Sequence, residues 1–382
     1  ATTTAADMGR FMIAWLQEGE YQGARILAPE TVRQALGTPL TIVPPLNRML
    51  LGFYEKSLGG RRIVGHDGDT QFFHSSLSLL VDEGVGVYVV VNSTGRDGAA
   101  GALLTAFMHG FVDRYFPAPV LADTVGPEAA SAHARQMLGT YQSSRRQESN
   151  FFRVLGLLSQ STVTLDEDGG LLVPALKDAN GAPMKWREVR PYVWHQVGGK
   201  ERLAARVRHG RVELFSVDSV SPFLVLQPVP WWKSSTILLP LLVAALAIIF
   251  VSLVTWPAAA LLRRHYRLWP ANVGVAGRPY RWARIAGLGA LLALTGWTAV
   301  FSQLNGNLFA YSPALDPWIA LLKLATPVAC AGGSAAAFQD AIRRWKQRGW
   351  PARTGSVLLV FSFATLLGLA VLLDLAGFGT DY

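Results

Sequence analysis

The chain has 382 residues, 51% hydrophobic and only 16% charged, with a mean hydropathy of +0.26. This composition excludes an intrinsically disordered chain and argues against a wholly soluble one, and the single cysteine, Cys330, excludes a disulfide framework or a thiolate zinc site. The formal charge of +9 is unevenly spread: residues 1–234 hold 23 Lys+Arg against 22 Asp+Glu, and the rest hold 12 against 4.

Thr2-Thr3-Thr4 followed by Asp7 reads as a helix start, with Met8, Phe11, Met12 and Trp15 as an apolar stripe at helical spacing and Gly19 and Gly23 as its end. Pro29 opens a second short helix that Val32 and Leu36 continue. Strands are predicted over 51–54, 62–64, 75–80 and 85–92, the last two joined by an Asp82-Glu83-Gly84 turn, and an apolar helix over 99–115. Helices, then antiparallel strands, then a returning helix predict for residues 1–118 an α+β fold, a partial α/β sandwich, or a three-layer sandwich. The composition then shifts to Pro, Ala and Val, so 119–137 reads as a linker. Residues 138–230 show short alternating runs, with strands expected from 163–165 to 223–226, punctuated by turns such as Asn180-Gly181 and His209-Gly210. They predict a small antiparallel β-domain, either a barrel or a sandwich.

Residues 231–382 are apolar and basic in separate blocks. Four runs are long enough to cross a bilayer, with helices expected near 236–256, 285–304, 317–338 and 355–378. Tryptophans such as Trp231, Trp232, Trp256 and Trp350 stand at the run ends, where an indole suits the headgroup layer. The loop after the first run carries Arg263, Arg264, Arg267, Arg278, Arg281 and Arg284; the loop after the third carries Arg343, Arg344, Lys346, Arg348 and Arg353; the loop 305–315 has no charge. The positive-inside rule puts both basic loops in the cytoplasm and residues 1–234 outside. Basic residues placed between greasy runs do not form a nucleic-acid face. Lys323 and Asp374 fall near the outer ends of runs three and four and are expected to pair across helices. Gly332-Gly333-Ser334 in run three could suggest an intramembrane serine protease. Run four holds no His to act as base, so close helix packing on small residues is expected.

The segment Gly65-His66-Asp67-Gly68-Asp69-Thr70 concentrates the chemistry. Glycines on both sides of a histidine at a strand end would let a substrate approach the backbone closely. Taken with Thr4-Ala5-Ala6-Asp7-Met8-Gly9-Arg10-Phe11, Ile26-Leu27-Ala28-Pro29-Glu30-Thr31-Val32 and Val89-Val90-Val91-Asn92-Ser93, the stretch 1–116 resembles the C-terminal half of the serine β-lactamase-related family, the class C-like hydrolases that include penicillin-binding proteins, D-aminopeptidases and esterases. The appended β-domain and four-helix tail look like a membrane-bound branch. In that family a Lys/His-x-Gly triplet lies on an inner strand, and His66-Asp67-Gly68 matches it. The resemblance implies that His66 sits beside the nucleophile to bind substrate or move a proton. Gly68 leaves room for the substrate, the Asp69 N–H is an oxyanion-hole donor, and Asp67 and Thr70 contact substrate.

The family's Ser-x-x-Lys and Tyr-x-Asn motifs are not found. No Ser stands three before any Lys, and no Tyr or Ser two before any Asn. In the family's order both precede this stretch, and no signal peptide is visible, so the chain reads as a fragment that would not form an acyl-enzyme alone. No Gly-x-Ser-x-Gly, His-Glu-x-x-His or metal-ligand spacing occurs, and no cofactor or metal is expected. The expected whole is an outward-facing hydrolase of the bacterial inner membrane. It would take a small-molecule or peptide substrate of the cell envelope, such as a D-amino-acid peptide, a β-lactam or a small ester, by way of an upstream serine. A non-catalytic envelope binding or sensor protein is the alternative, and a transporter subunit ranks last.

Overall fold

In the computed structural model, which describes residues 3–117, 125–178, 180–267, 277–306, 310–347 and 350–380, the Thr4 hydroxyl accepts the Asp7 N–H at 3.2 Å and starts helix α1, Ala5–Leu16. A two-residue hairpin, β1 Glu20–Tyr21 and β2 Ala24–Arg25, leads to α2, Pro29–Gly37, with proline in its first turn. Strands β3 Tyr54–Glu55, β4 Ile63–Asp69, β5 His74–Leu80 and β6 Val85–Val91 form an antiparallel sheet in that order, and α3, Ala99–Tyr115, follows. The strand expected over 51–54 contracts to Tyr54–Glu55. Gly52 sits at φ +75 and the Leu50 N–H donates to the Phe53 carbonyl at 2.9 Å, so this stretch turns instead of extending.

Alternation along the strands gives the sheet two apolar faces. Val64, Leu77 and Leu79 pack with Met12, Val32 and Leu36 from α1 and α2, while Ile63 and Leu80 pack with Met108 and Val112 from α3. The result is a three-layer arrangement. Each fully buried Leu or Val contributes about 1.5–3 kcal/mol to it.

Helix α4, Pro127–Gln136, lies in the segment read as linker, and its Ala134 enters the next core together with Met137. Then come β7 Gly139–Ser143, helix α5 Arg153–Leu158, β8 Ser161–Leu165, β9 Leu171–Lys177, β10 Pro183–Arg190, β11 Val193–Gln196, β12 Arg202–Arg208, β13 Arg211–Val217 and β14 Leu226–Pro228. Strands β7 to β14 close into an eight-stranded barrel in sequence order, because β14 returns to β7 with Gln227 opposite Gln142. Its interior is filled by Tyr141, Val163, Leu171, Trp186, Trp194, Leu203 and Phe215. The last strand lies at Leu226–Pro228 rather than over 223–226: Val225 is drawn into a buried cluster with Val43 and Leu46, and its N–H donates to the Ser144 hydroxyl oxygen at 3.1 Å.

The chain divides into two compact units: Ala1–Arg145 with Ser161–Val229, and Arg146–Gln160 with Pro230–Tyr382. Within the first unit, Val43 and Leu46 pack on Val189, Val193, Ala204 and Leu214 of the barrel wall, and the Asn47 N–H donates to Asp218 Oδ1 at 2.9 Å. Arg202 bonds the other Asp218 oxygen, and His109 Nε2 lies 3.9 Å from Glu201 Oε1.

The second unit holds α6 Ser235–His265, α7 Arg278–Gly306, α8 Asp316–Gln347 and α9 Trp350–Leu372. Its four spans Ser235–His265, Arg278–Gly306, Pro313–Arg343 and Arg353–Leu372 are long and apolar enough to cross a membrane, with mean hydropathies of 3.0, 1.6, 1.4 and 2.3. Lys323 and Asp374 pair, Nζ to Oδ2 at 3.1 Å. The fourth helix ends at Leu372, short of 378. Asp374 takes a left-handed φ of +56 and the Leu375 N–H bonds back to the Ala370 carbonyl at 2.8 Å, a Schellman-type stop.

Candidate active site

The hydrogen bonds of β4 define which way its backbone points. Lys56 N–H donates to the Ile63 carbonyl at 2.7 Å, and the Asp67 N–H donates to the Tyr54 hydroxyl at 2.9 Å. Odd-numbered groups from Ile63 to Asp69 therefore face the β3 edge, because strand backbone groups alternate. Strand β3 pairs with β4 only at Tyr54–Gly65 and Glu55–Val64, whereas β5 pairs along its whole length to Asp69–His74. Beyond Gly65 the β3-side edge has no strand partner among the described residues.

Two side chains occupy the first free position on that edge. The Tyr54 hydroxyl takes the Asp67 N–H, and His66 Nδ1 lies 2.6 Å from the Asp67 carbonyl oxygen. A carbonyl oxygen can only accept, so Nδ1 carries a proton and donates it to the Asp67 carbonyl oxygen. The His66 ring is exposed and lies 5.2 Å from the Tyr54 ring. The next main-chain donor along the edge is the Asp69 N–H, on an exposed residue whose carboxylate meets His74 Nδ1 at 2.6 Å.

By alternation His66 and Gly68 lie on the face that α1 and α2 cover, and Asp67 on the face that α3 covers. The Asp67 carboxylate is held by Lys56 Nζ and by the Tyr54 hydroxyl at 3.0 Å, and Lys56 also donates to the Ser76 hydroxyl at 2.6 Å. The structure thus brings His66, Gly68 and the Asp69 backbone together and turns the Asp67 side chain elsewhere. Thr70 is likewise engaged: its hydroxyl accepts the Phe73 N–H at 2.9 Å inside the β4–β5 turn. At the tip of that turn Phe72 and Phe73 are exposed.

The two glycines differ. A Cβ at Gly65 would stand 2.0 Å from the Leu77 carbonyl oxygen and 3.2 Å from Lys56 Cδ, so Gly65 makes room for this chain's own atoms. At Gly68 a Cβ would meet only the Ser75 hydroxyl, at 2.9 Å.

Burial, and then the Asp67 charge, push the Tyr54 hydroxyl up to about 12, so it stays protonated and can both accept and donate. Ser76 and Lys56 are the one Ser–Lys hydrogen bond among the described residues. The lysine is salt-bridged to Asp67 and Ser76 is buried, so the pair lacks both a free amine base and an open nucleophile. From sequence, Tyr54 is placed in a strand and Lys56 is not singled out. The signal was their spacing: residues two apart on a short strand opposite Gly65 and Ile63 reach the same Asp67.

No curated protein matches the chain. Among solved structures it is similar to SurE in its crystal structure with D-Leu (18% identity, 53% of this chain and 44% of that one, TM-score 0.31). It is also similar to SurE in a second crystal structure (17%, 57% and 47%, TM-score 0.33) and to the octameric penicillin-binding protein homologue from Pyrococcus abyssi (14%, 59% and 47%, TM-score 0.24). The chain spans less than half the length of each, and likenesses this distant carry no functional weight. The family model described as Beta-lactamase matches residues 1–107, the stretch that contains α1 to β6 and the His66 segment, which supports a β-lactamase-like fold for this part of the chain.

Proposed function

We propose that the chain is part of a membrane-anchored, outward-facing serine hydrolase of the β-lactamase-related class, cleaving an amide or ester through an acyl-enzyme whose serine and lysine lie outside these residues. The observation that supports it best is the exposed His66 ring on β4, beyond the last β3 pairing and beside Asp69, within the stretch the Beta-lactamase family matches. In this reading a carbonyl carbon bound over Gly68 is attacked by the serine. The Asp69 N–H donates to the oxygen as it gains charge, and His66 binds the substrate carboxylate or relays the leaving-group proton. Asp67, tied to Tyr54 and Lys56, holds the strand in place, and Thr70 shapes its terminal turn. Substrates are small molecules or peptides of the cell envelope: D-amino-acid peptides, β-lactams or small esters.

The organisation we propose is a hydrolase portion over 1–118, a linker over 119–137 that carries α4, a β-domain over 138–230 interrupted by 146–160, and a membrane domain over 231–382. The basic loops after α6 and α8 favour a cytoplasmic position for those ends. Residues 1–234 would then be extracytoplasmic, in a bacterial inner membrane.

The second reading is a non-catalytic cell-envelope binding or sensor protein, favoured by the state of the chain's own Ser76–Lys56 pair, whose lysine is tied to Asp67 and whose serine is buried. The test is to express the chain together with the coding sequence that precedes it and treat the product with a fluorescent penicillin and a fluorophosphonate. Covalent label on a serine of a Ser-x-x-Lys motif is expected. No label with that motif present, or no such motif, gives the binding reading.

A further inference from the structure

Residues 146–160 interrupt the barrel sequence between β7 and β8, yet they pack in the unit of the four long helices. Phe151 is fully buried, its ring 5.3 Å from Trp297 and 5.7 Å from Phe301, and it shares a cluster with Leu304 and Ile319. Arg153 Nη1 donates to the Leu372 carbonyl at 2.9 Å. Gln160 accepts the Ser235 N–H at 2.7 Å and donates to the Lys233 carbonyl at 3.0 Å.

The segment therefore touches the start of α6, the end of α7, the start of α8 and the end of α9. These four termini form one end of the bundle, since Gly289 lies against Ala329 and Gly296 against Leu322 in an antiparallel register and Lys323 reaches Asp374. The Arg-rich loops follow the opposite ends of α6 and α8.

Helix α5 buries Leu157 but leaves Leu155 47% and Leu158 61% exposed, and 154–159 carries no charge. At the same end Trp231 is 74% and Trp232 49% exposed, with Lys233 Nζ 4.7 Å from the Trp232 ring. This apolar surface runs on into the outward faces of α6, where Ile237, Leu241 and Val243 are exposed. We infer that α5 and the Trp231–Trp232 pair are seated in the lipid headgroup–acyl boundary, on the membrane face opposite the basic loops, with Leu155 and Leu158 toward the acyl chains. Continuity with the apolar helix faces argues for lipid as the occupant, and so does the chemistry of two indoles beside a lysine, which suits that boundary. A six-residue helix is too short to bind an interface by itself. Here Phe151, Arg153 and Gln160 fix it to the bundle, so its two leucines arrive already positioned. The inference rests on the membrane-spanning reading of the four helices and is independent of hydrolysis.

The test uses the full chain with Cys330→Ala in phosphatidylethanolamine–phosphatidylglycerol liposomes. Nitroxide labels are placed singly at Leu155→Cys, Leu158→Cys, Val243→Cys on α6 and Arg211→Cys on the exposed β12–β13 turn. Collision with oxygen and with a water-soluble nickel complex is then compared. Leu155→Cys and Leu158→Cys are expected to lose nickel accessibility relative to Arg211→Cys and to report a shallower depth than Val243→Cys. Nickel accessibility equal to that of Arg211→Cys overturns the inference while leaving the spans intact. A nickel-accessible Val243→Cys overturns it together with the membrane reading. Either result leaves the covalent-labelling test of the hydrolase untouched.

Discussion

The Tyr54 hydroxyl meets Asp67 twice, accepting its amide proton at 2.9 Å and donating to its carboxylate at 3.0 Å. One side chain thereby stands in for the strand that β3 does not continue, and it moves the first open main-chain donor of the β4 edge out to Asp69. The arrangement needs a neutral phenol, which the upward shift of Tyr54 to about 12 secures across the physiological range.

Tyr54→Phe keeps the ring and removes both bonds. The Asp67 amide then faces the edge without a partner, and the loss is expected to be about 1–3 kcal/mol. Hydrogen exchange by mass spectrometry on a peptide spanning β4 checks it: the Asp67 amide should lose protection while the amides of β5 facing β6 keep theirs. Unchanged protection at Asp67 would mean that the hydroxyl does not satisfy that donor.

His66→Ala separates chemistry from folding, because the ring is exposed and outside every buried cluster. In the gene product that carries the upstream motif, acylation by a fluorescent penicillin should slow about 10²–10⁴-fold, the range for losing a positioned proton-transfer group. The melting temperature should stay where it is. Loss of fold with the activity would place His66 among structural residues instead.

The sequence made some of this plain and hid the rest for identifiable reasons. Thr4, Pro29 and the Asp82-Glu83-Gly84 turn are local signals, and the elements they mark stand within a residue or two of their expected places. The four long helices were legible as apolar runs, since apolar length is a property of each run by itself, but their ends were not: the first runs on to His265 and the fourth spans Trp350–Leu372. Helix α5 was not, because Phe151 and Phe152 find their partners on Trp297, Phe301 and Tyr311, far along the chain. Barrel closure depends on Gln142 meeting Gln227, a pairing that no local pattern encodes. At the site, His66, Gly68 and Asp69 lie on the one strand β4. The Asp67 and Thr70 side chains are drawn away by Lys56, Tyr54 and the turn, partners that a motif does not name.

Glu201 gives a pH-dependent test of the first unit. Burial, and then the neighbouring Asp218 charge, raise its carboxyl above the ordinary 4.5, with hydrogen bonds from Ser219 and the Arg202 charge opposing. A raised folded value means that this group's contribution to stability is present below 4.5 and is lost as pH rises through the folded value. Glu201→Gln removes the charge while keeping the shape. Exchange protection in β11–β13 should exceed that of the parent at pH 8, and the advantage should vanish in acid, where both side chains are neutral. His109, itself lowered by burial first, faces the same carboxylate at 3.9 Å and titrates in the other direction. The variant-minus-parent difference is therefore the informative quantity, rather than the raw profile. An advantage that grows on acidification would reverse the assignment.

Adjacent glycines in α8 make opposite forecasts. A Cβ on Gly333 would stand 2.5 Å from Phe363 Cε1 and 2.6 Å from Cδ1, and Phe363 is fully buried in the core shared by α6, α7, α8 and α9. A Cβ on Gly332 meets nothing within 4 Å. An aromatic ring in a packed interface cannot retreat as a flexible chain end can. Gly333→Ala must therefore push α9 outward or force the ring off its rotamer, at about 1–3 kcal/mol. Gly332→Ala carries no such clash and gains the helix preference of alanine, worth about 1 kcal/mol in a water-soluble helix. Denaturation of the full chain in detergent micelles, followed by tryptophan fluorescence, should show the Gly333→Ala midpoint lowered and that of Gly332→Ala unchanged or raised. Equal responses would mean that the α8–α9 interface is not closed on Phe363, and the small-residue reading of this stretch would fall with it.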